Sequence, residues 1–401
     1  MSKFTKFVFQ IMLVVLLCWG AYAWFTWEWD SLGLGRFYLF FVFIAITVIY
    51  VYYNKIKLSI SSKETGLLVL WCIASLPNDF KLVSPIIAAL RFFPLLILFK
   101  DKYNIESHLK FISVSVAIIL IPGMILWTLI QMEAFTLPGI PIQMGDDDNL
   151  NYYFYNYFFL LNRIELESTR FQSIFLEPGY LGTMLAFLLY ANKYKWKQWY
   201  NWMLLLGLIL SQSLAGYITL LVGYILYLYQ MKTSARKLLF LLAAIFVFFY
   251  FIPQINKGDN NINHNIIERF TDKNNNKYVL LDDLRVSYDT DRIFSNLISS
   301  GNLFFGDINK TKVEGAGYKV FIIRYGLVAA IIYFFFYFQL STFTRNKKYG
   351  KGFLLLVVLT FFQAAYPFSY SWVIPFVLGV LSDTAPGYSL RKYGKNEDLV
   401  C

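Results

Sequence analysis

The sequence predicts an all-α polytopic membrane protein of about twelve transmembrane helices with two large loops on one face. Three observations carry this. Of 401 residues, 58% are hydrophobic, 20% aromatic and only 15% charged, which is too apolar for a soluble domain. The apolar residues gather in runs long enough to reach across a bilayer. The basic residues stand in small groups between those runs, always on the same side once Met1 is placed in the cytoplasm. The net charge of +11 is therefore dealt out along the chain and forms no single patch, which excludes nucleic acid as a partner. Cys18, Cys72 and Cys401 supply neither a disulfide framework nor a metal spacing.

In chain order, Met1–Lys6 is short and basic, and Phe7 to Trp27 is the first span. Ala21-Tyr-Ala23 has the form of a signal-peptidase site, but the apolar run is longer than a signal core and continues into Trp24 and Trp27, which favours an uncleaved helix. Further spans are read at 37–53, 66–76, 82–99 and 109–130, the last with Pro122-Gly123 as a kink. Residues 1–130 thus hold helices one to five, and 131–176 form the first large loop. Residues 177–252 hold helices six to nine: one at 178–190, a hairpin over 202–229 broken near Ser211-Gln-Ser213, and one at 238–252. The second large loop, 253–316, is rich in Asn, Asp and Lys, with a helical piece at 289–298. Residues 317–401 hold helices ten to twelve, at 318–340 and between 353 and 381, and a basic tail. The basic clusters place both termini in the cytoplasm and both loops outside. The short runs at 66–76, in the first arm of the 202–229 hairpin and at 353–381 also suit re-entrant segments.

The chemistry concentrates where a polar segment meets an apolar one, at Arg170-Phe-Gln-Ser-Ile-Phe-Leu-Glu177-Pro-Gly-Tyr-Leu-Gly182. Glu177-Pro178 reads as a helix start, with an acid beside free N–H groups and a ring that pre-sets φ. Arg170 and Glu177 then stand at a membrane boundary, either as a functional pair or as an anchor and a cap. Arg91 and Arg324 fall inside apolar runs, where a guanidinium needs an anion, and its fork suits phosphate oxygens. Pairing with backbone carbonyls or with Glu177 as a brace explains them equally well. Arg285 and Arg292 flank Asp289 and Asp291, and local ion pairing accounts for them nearly as well as ligand binding. Of the two histidines, His108 falls in a cytoplasmic loop as a solvated side chain, and His264 in the second outer loop is a candidate base near neutral pH, or an exposed loop residue. Asp146-Asp-Asp148 offers carboxylates to a cation, but after Gly145 it reads better as a solvated turn, so no metal site is expected. No phosphate loop or Ser-His-Asp arrangement stands out, and no cofactor is implied.

The stretch Arg170–Gly182 resembles the motif that precedes a span in bacterial O-antigen polymerases of the Wzy type. Ser211-Gln-Ser-Leu-Ala-Gly216 resembles the hairpin that follows it there, and Gly315-Ala-Gly-Tyr-Lys-Val-Phe-Ile-Ile-Arg324-Tyr-Gly326 resembles the segment after the second outer loop. The related O-antigen ligases have a histidine where that loop meets the next span. Here Gly315–Tyr318 has none, which favours polymerase over ligase. The resemblance implies a GT-C-like glycosyltransferase of the inner membrane, working at the periplasmic face in lipopolysaccharide biosynthesis. Its substrates would be oligosaccharide repeat units on undecaprenyl diphosphate, and a chain-length regulator would be a further partner. Glu177 and Arg170 would be catalytic, and Arg91, Arg324, Arg292 and Arg285 would hold the diphosphate. The tyrosines of Tyr152–Tyr157 would stack on sugars or lie in the headgroup layer. A lipid-linked glycan flippase or transporter is the alternative from another class. A ligase differs from the polymerase in acceptor only.

Overall fold

The computed structural model describes residues 1–26, 36–75, 83–134, 138–143, 151–163, 170–231, 250–251, 254–255, 263, 288–306, 317–362 and 369–383. Twelve α-helices stand among them: α1 Ser2–Gly20, α2 Arg36–Tyr53, α3 Ser62–Ser75, α4 Val83–Lys100, α5 Ile105–Gln131, α6 Pro178–Ala191, α7 Trp199–Leu210, α8 Leu214–Gln230, α9 Tyr288–Ser299, α10 Tyr318–Ser341, α11 Lys347–Phe361 and α12 Tyr370–Ser382. Three of them, α1, α5 and α10, are long and apolar enough to cross a membrane. Others are shorter: α6, α7 and α12 have 14, 12 and 13 residues, so at about 1.5 Å per residue they fall well short of a ~30 Å hydrocarbon core. The structure therefore gives a helical bundle with three helices suited to span a membrane among the described residues, and not a count of twelve spans. The run expected at 238–252 lies almost wholly outside the described residues. Helix α9 is not a span, because its apolar and polar residues divide between two faces.

The bundle is built around α6 and α12. Every residue from Leu181 to Ala191 and from Ser371 to Ser382 is buried. A helix apolar all round has no solvent face to satisfy and takes the centre. Side-chain bonds between helix ends then sort the ends into two sets. At one end, Ser2 bonds Asn54, Lys6 bonds Asn104, Gln339 bonds the Lys63 carbonyl, Lys193 pairs with Asp383, and Gln230 bonds the Lys348 carbonyl. Among the described residues, the basic groups between the apolar runs, such as Lys55, Lys57, Lys100, Lys102, Lys193, Lys195, Arg345 and Lys347, gather here. At the other end, α1 closes at Gly20, whose carbonyl accepts from the Ser369 hydroxyl just before α12.

Three expectations change. The chain is not wholly helical: the first loop holds an antiparallel sheet of β1 Ile140–Gln143, β2 Asn151–Tyr155 and β3 Leu160–Arg163. Tyr152, Phe154 and Leu161 form its buried face with Trp24, so part of the aromatic run is core and not belt. The first helix ends at Gly20 and not Trp27, because the next residues pair with another segment: Trp24 N–H donates to Ile174 O at 2.9 Å and Leu176 N–H to Tyr22 O at 3.1 Å. His108 lies inside α5 and is fully buried, with Nε2 2.8 Å from Asp101 Oδ2, where a solvated loop histidine was expected. The Tyr50 hydroxyl donates to the same carboxylate, and Phe9 stacks on Tyr50.

Candidate functional site

Residues 170–177 form a strap across the end opposite the basic clusters, held from four sides. Phe171 N–H donates to Leu210 O at 3.1 Å, Leu161 N–H donates to Ser173 O at 2.7 Å, and the Ser173 hydroxyl donates to Phe159 O at 3.2 Å. The edge at Phe175 bridges to Ala23 in antiparallel register. Phe171, Gln172, Ser173, Ile174 and Phe175 are all buried, so the strap is fixed by packing as well as by its backbone bonds.

Arg170 begins this strap, half-buried, and its Nε–H donates to the Ser211 carbonyl at 3.2 Å. Ser211 is the cap residue of α7, so the guanidinium docks on the break between α7 and α8. Below it, α6 and α8 cross at two glycines. A Cβ on Gly216 would stand 2.8 Å from the Gly182 carbonyl carbon, and one on Gly182 would stand 2.6 Å from Ser213 Cβ. Only glycines permit this approach. Ser213 caps α8, its hydroxyl accepting from Gly216 N–H at 3.1 Å. The two stretches singled out in the sequence, 170–182 and 211–216, are thus one packed unit.

Glu177 is the cap residue of α6, extended at φ −134°, ψ 133°, with Pro178 following at the first helical position as expected. Its carboxylate makes no capping bond to the helix and is exposed. It stands at the head of the central helix, where the free N–H groups and the helix dipole favour a negative charge.

The remaining predicted residues divide. Arg91 lies in α4 with its side chain exposed, the guanidinium 5.7 Å from the centre of the Phe40 ring. Its carbonyl accepts from the Tyr370 hydroxyl at 2.9 Å, which ties α4 to the start of α12. Among the described residues it forms no ion pair. Arg324 is half-buried in α10, two residues before Gly326, where the helix breaks at φ 77°, ψ 170°. The backbone of Phe304 and Phe305 presses into that break, and a Cβ on Gly326 would collide with it. Phe304 and Phe305 of the second loop are thereby seated two residues from Arg324 along α10. Arg292 is exposed on α9, which Lys319 ties to α10 through Asp291 at 2.9 Å. Arg285, His264 and Asp146–Asp148 lie outside the described residues. Among the described residues no cluster of His, Cys, Asp and Glu is arranged to hold a metal.

Sequence reasoning missed the strap's partner, residues 22–24. Their small and aromatic side chains read as the continuation of a span, and nothing local marks them as strand-like. Comparison with known protein families, with curated proteins and with solved structures finds no match to this chain.

Proposed function

We propose that this protein is an O-antigen polymerase that joins lipid-linked repeat units at the outer face of a bacterial inner membrane, with both termini cytoplasmic. The observation that carries the reading is the joining of Arg170, the Ser211 turn and the head of α6 into one unit, at the end away from the basic clusters. A structural cap needs no arginine docked on a helix break and no exposed carboxylate at the head of a helix buried from Leu181 to Ala191.

The chemistry follows from the donor. A glycan on undecaprenyl diphosphate carries its own leaving group, so no nucleotide site is required. The acceptor hydroxyl oxygen bonds to the donor's anomeric carbon as that carbon's bond to the diphosphate oxygen breaks. The hydroxyl proton passes to the Glu177 carboxylate, and the electron pair leaves with undecaprenyl diphosphate. Arg170 brings its guanidinium charge to the diphosphate as charge grows there, where electrostatic stabilisation contributes most. Arg324 is the second diphosphate contact in this scheme. Arg91, Arg292 and Arg285 stand as further contacts for the long anionic substrate, and His264 as an alternative base.

Deletion of the gene followed by gel analysis of lipopolysaccharide tests the reading. A polymerase defect leaves core bearing a single repeat unit. Core with no repeat unit at all contradicts the proposal and points to a ligase or a flippase.

A further inference from the structure

The basic end holds a cavity of about 820 Å³ between the connection from α2 to α3, the connection from α4 to α5 and the chain after α10. Lys55, Lys57, Lys100 and Lys102 line it, and Phe99 and Phe343, with ring centres 4.9 Å apart, contribute an apolar wall with Ile56 and Leu381. Both carboxylates in the lining are already engaged. Glu64 pairs with Lys100 and accepts from the Ser61 N–H at 2.7 Å. Asp101 is turned into the bundle, accepting from the Tyr50 hydroxyl and from Asn104 Nδ2 at 2.7 Å beside His108. Lys55, Lys57 and Lys102 are exposed, and among the described residues none has a carboxylate within salt-bridge distance. The turn that presents two of them is fixed. Lys55 takes a left-handed φ of 51°, and Ile56 N–H donates to Val51 O at 3.1 Å, a bond that closes α2.

Three ammonium groups around a polar cavity with an apolar wall suit a phosphate-bearing anion attached to an apolar body. Tyr52, Tyr53, Leu58 and Ile60, close by in the chain, are exposed as residues at a lipid interface are. We propose that this cavity binds one phosphate-bearing anion, its charge on Lys55, Lys57 and Lys102 and its apolar part against Phe99 and Phe343. A lipid headgroup and a soluble phosphate ester share this chemistry. The inference does not depend on the reaction proposed above, since it concerns the opposite end of the bundle.

The test uses the full chain purified in detergent and native mass spectrometry with phosphatidylglycerol, phosphatidylcholine and inorganic pyrophosphate as probes. The unmodified protein should retain one phosphatidylglycerol in preference to phosphatidylcholine, and pyrophosphate should displace it. Lys55→Asn, Lys57→Gln and Lys102→Gln combined should weaken retention about tenfold or more, as expected for three cations near a headgroup. Asparagine is chosen at 55 because it tolerates a left-handed φ. Arg345→Gln, Lys347→Gln and Lys351→Gln combined remove equal charge from exposed positions at the same end and should leave retention unchanged. Pyrophosphate binding that the first triple variant abolishes, without any phosphatidylglycerol retention, assigns the cavity to a soluble phosphate ester. Equal losses in both triple variants, or no loss in the first, would overturn the proposal. Matching melting temperatures for the two variants exclude misfolding as the cause.

Discussion

The two ends of the bundle treat charge in opposite ways. At the basic end, acids are drawn in and closed off. Asp383 is buried and takes bonds from Lys193 at 2.9 Å, from the Thr344 hydroxyl at 3.0 Å and from the Asn346 N–H at 3.0 Å. Asp101 is buried among Tyr50, Asn104 and His108. At the strap end, Glu177 is exposed at the head of one of the two central helices, and Arg170 rests on the Ser211 carbonyl. Buried carboxylates with full partner sets stitch helices together. An exposed carboxylate on a rigid support faces outward from the bundle. The difference teaches that position along an apolar run is a poor guide to role, and that partner sets separate brace from site.

The contrast can be broken most severely at the glycine crossing under the strap. Gly216→Leu forces a side chain into the Gly182 backbone and should cost about 3 kcal/mol or more, the upper range of overpacking. The strap would lose its floor, and protein accumulated in the membrane, read by immunoblot, should fall to a small fraction of normal. A smaller loss is expected at the basic end from Asp101→Ala, which strips an acceptor from Tyr50, Asn104 and His108 at once. Breaking a buried charged network by removing one partner costs about 3 kcal/mol. Thermal unfolding in detergent should show it, with strap-end activity lowered only in proportion to the remaining protein.

Asp383 gives a finer test through pH. Burial alone would raise its carboxyl, but the Lys193 ammonium, followed by the bonds from Lys193, Asn346 and Thr344, outweighs burial and holds it below the usual carboxylate value. A carboxyl depressed in the folded state stabilises above its unfolded value of 3.8, and that contribution is lost as pH falls through the lower folded value. Melting temperature should therefore be insensitive to this group between about pH 5 and 8, with its contribution disappearing below about pH 4. Asp383→Asn should remove that acid-limb dependence, and at neutral pH should cost about 1 to 2 kcal/mol. The smallest effect on folding is expected from Arg91→Gln, because that side chain is exposed and its tie to Tyr370 runs through its backbone carbonyl. Protein level should stay normal, so any shortening of polymer would then reflect substrate contact.

Much of this arrangement was legible in the sequence. The acid–proline pair marked the start of α6, the Ser211-Gln-Ser213 interruption fell where α7 gives way to α8, and the basic clusters marked one end of the bundle. These signals are local, because caps, breaks and loop charges are written in consecutive residues. What was not legible depends on distant partners. His108 looked like a loop residue until α5 proved to begin at Ile105 and Tyr50, 58 residues away, closed over it. The sheet over 140–163 was hidden because its alternating aromatics equally suit an interfacial belt. The left-handed break at Gly326 inside an otherwise continuous apolar run is set by Phe304 and Phe305 pressing on it, which no helical periodicity records.

The account rests on Arg170 and Glu177 acting together as a chemical centre, and paired measurement of polymer length and membrane protein level in Arg170→Lys and Glu177→Gln tests it most directly. Lysine keeps the charge at 170 without the two-pronged geometry, and glutamine keeps the size at 177 without the charge. Both variants should accumulate normally, since Arg170 is only half-buried and Glu177 makes no capping bond. Both should slow polymerisation about a hundredfold or more, leaving lipopolysaccharide with a single repeat unit. Normal ladders from normally accumulating variants would contradict the assignment, and reduced protein with activity in proportion would make the pair a brace.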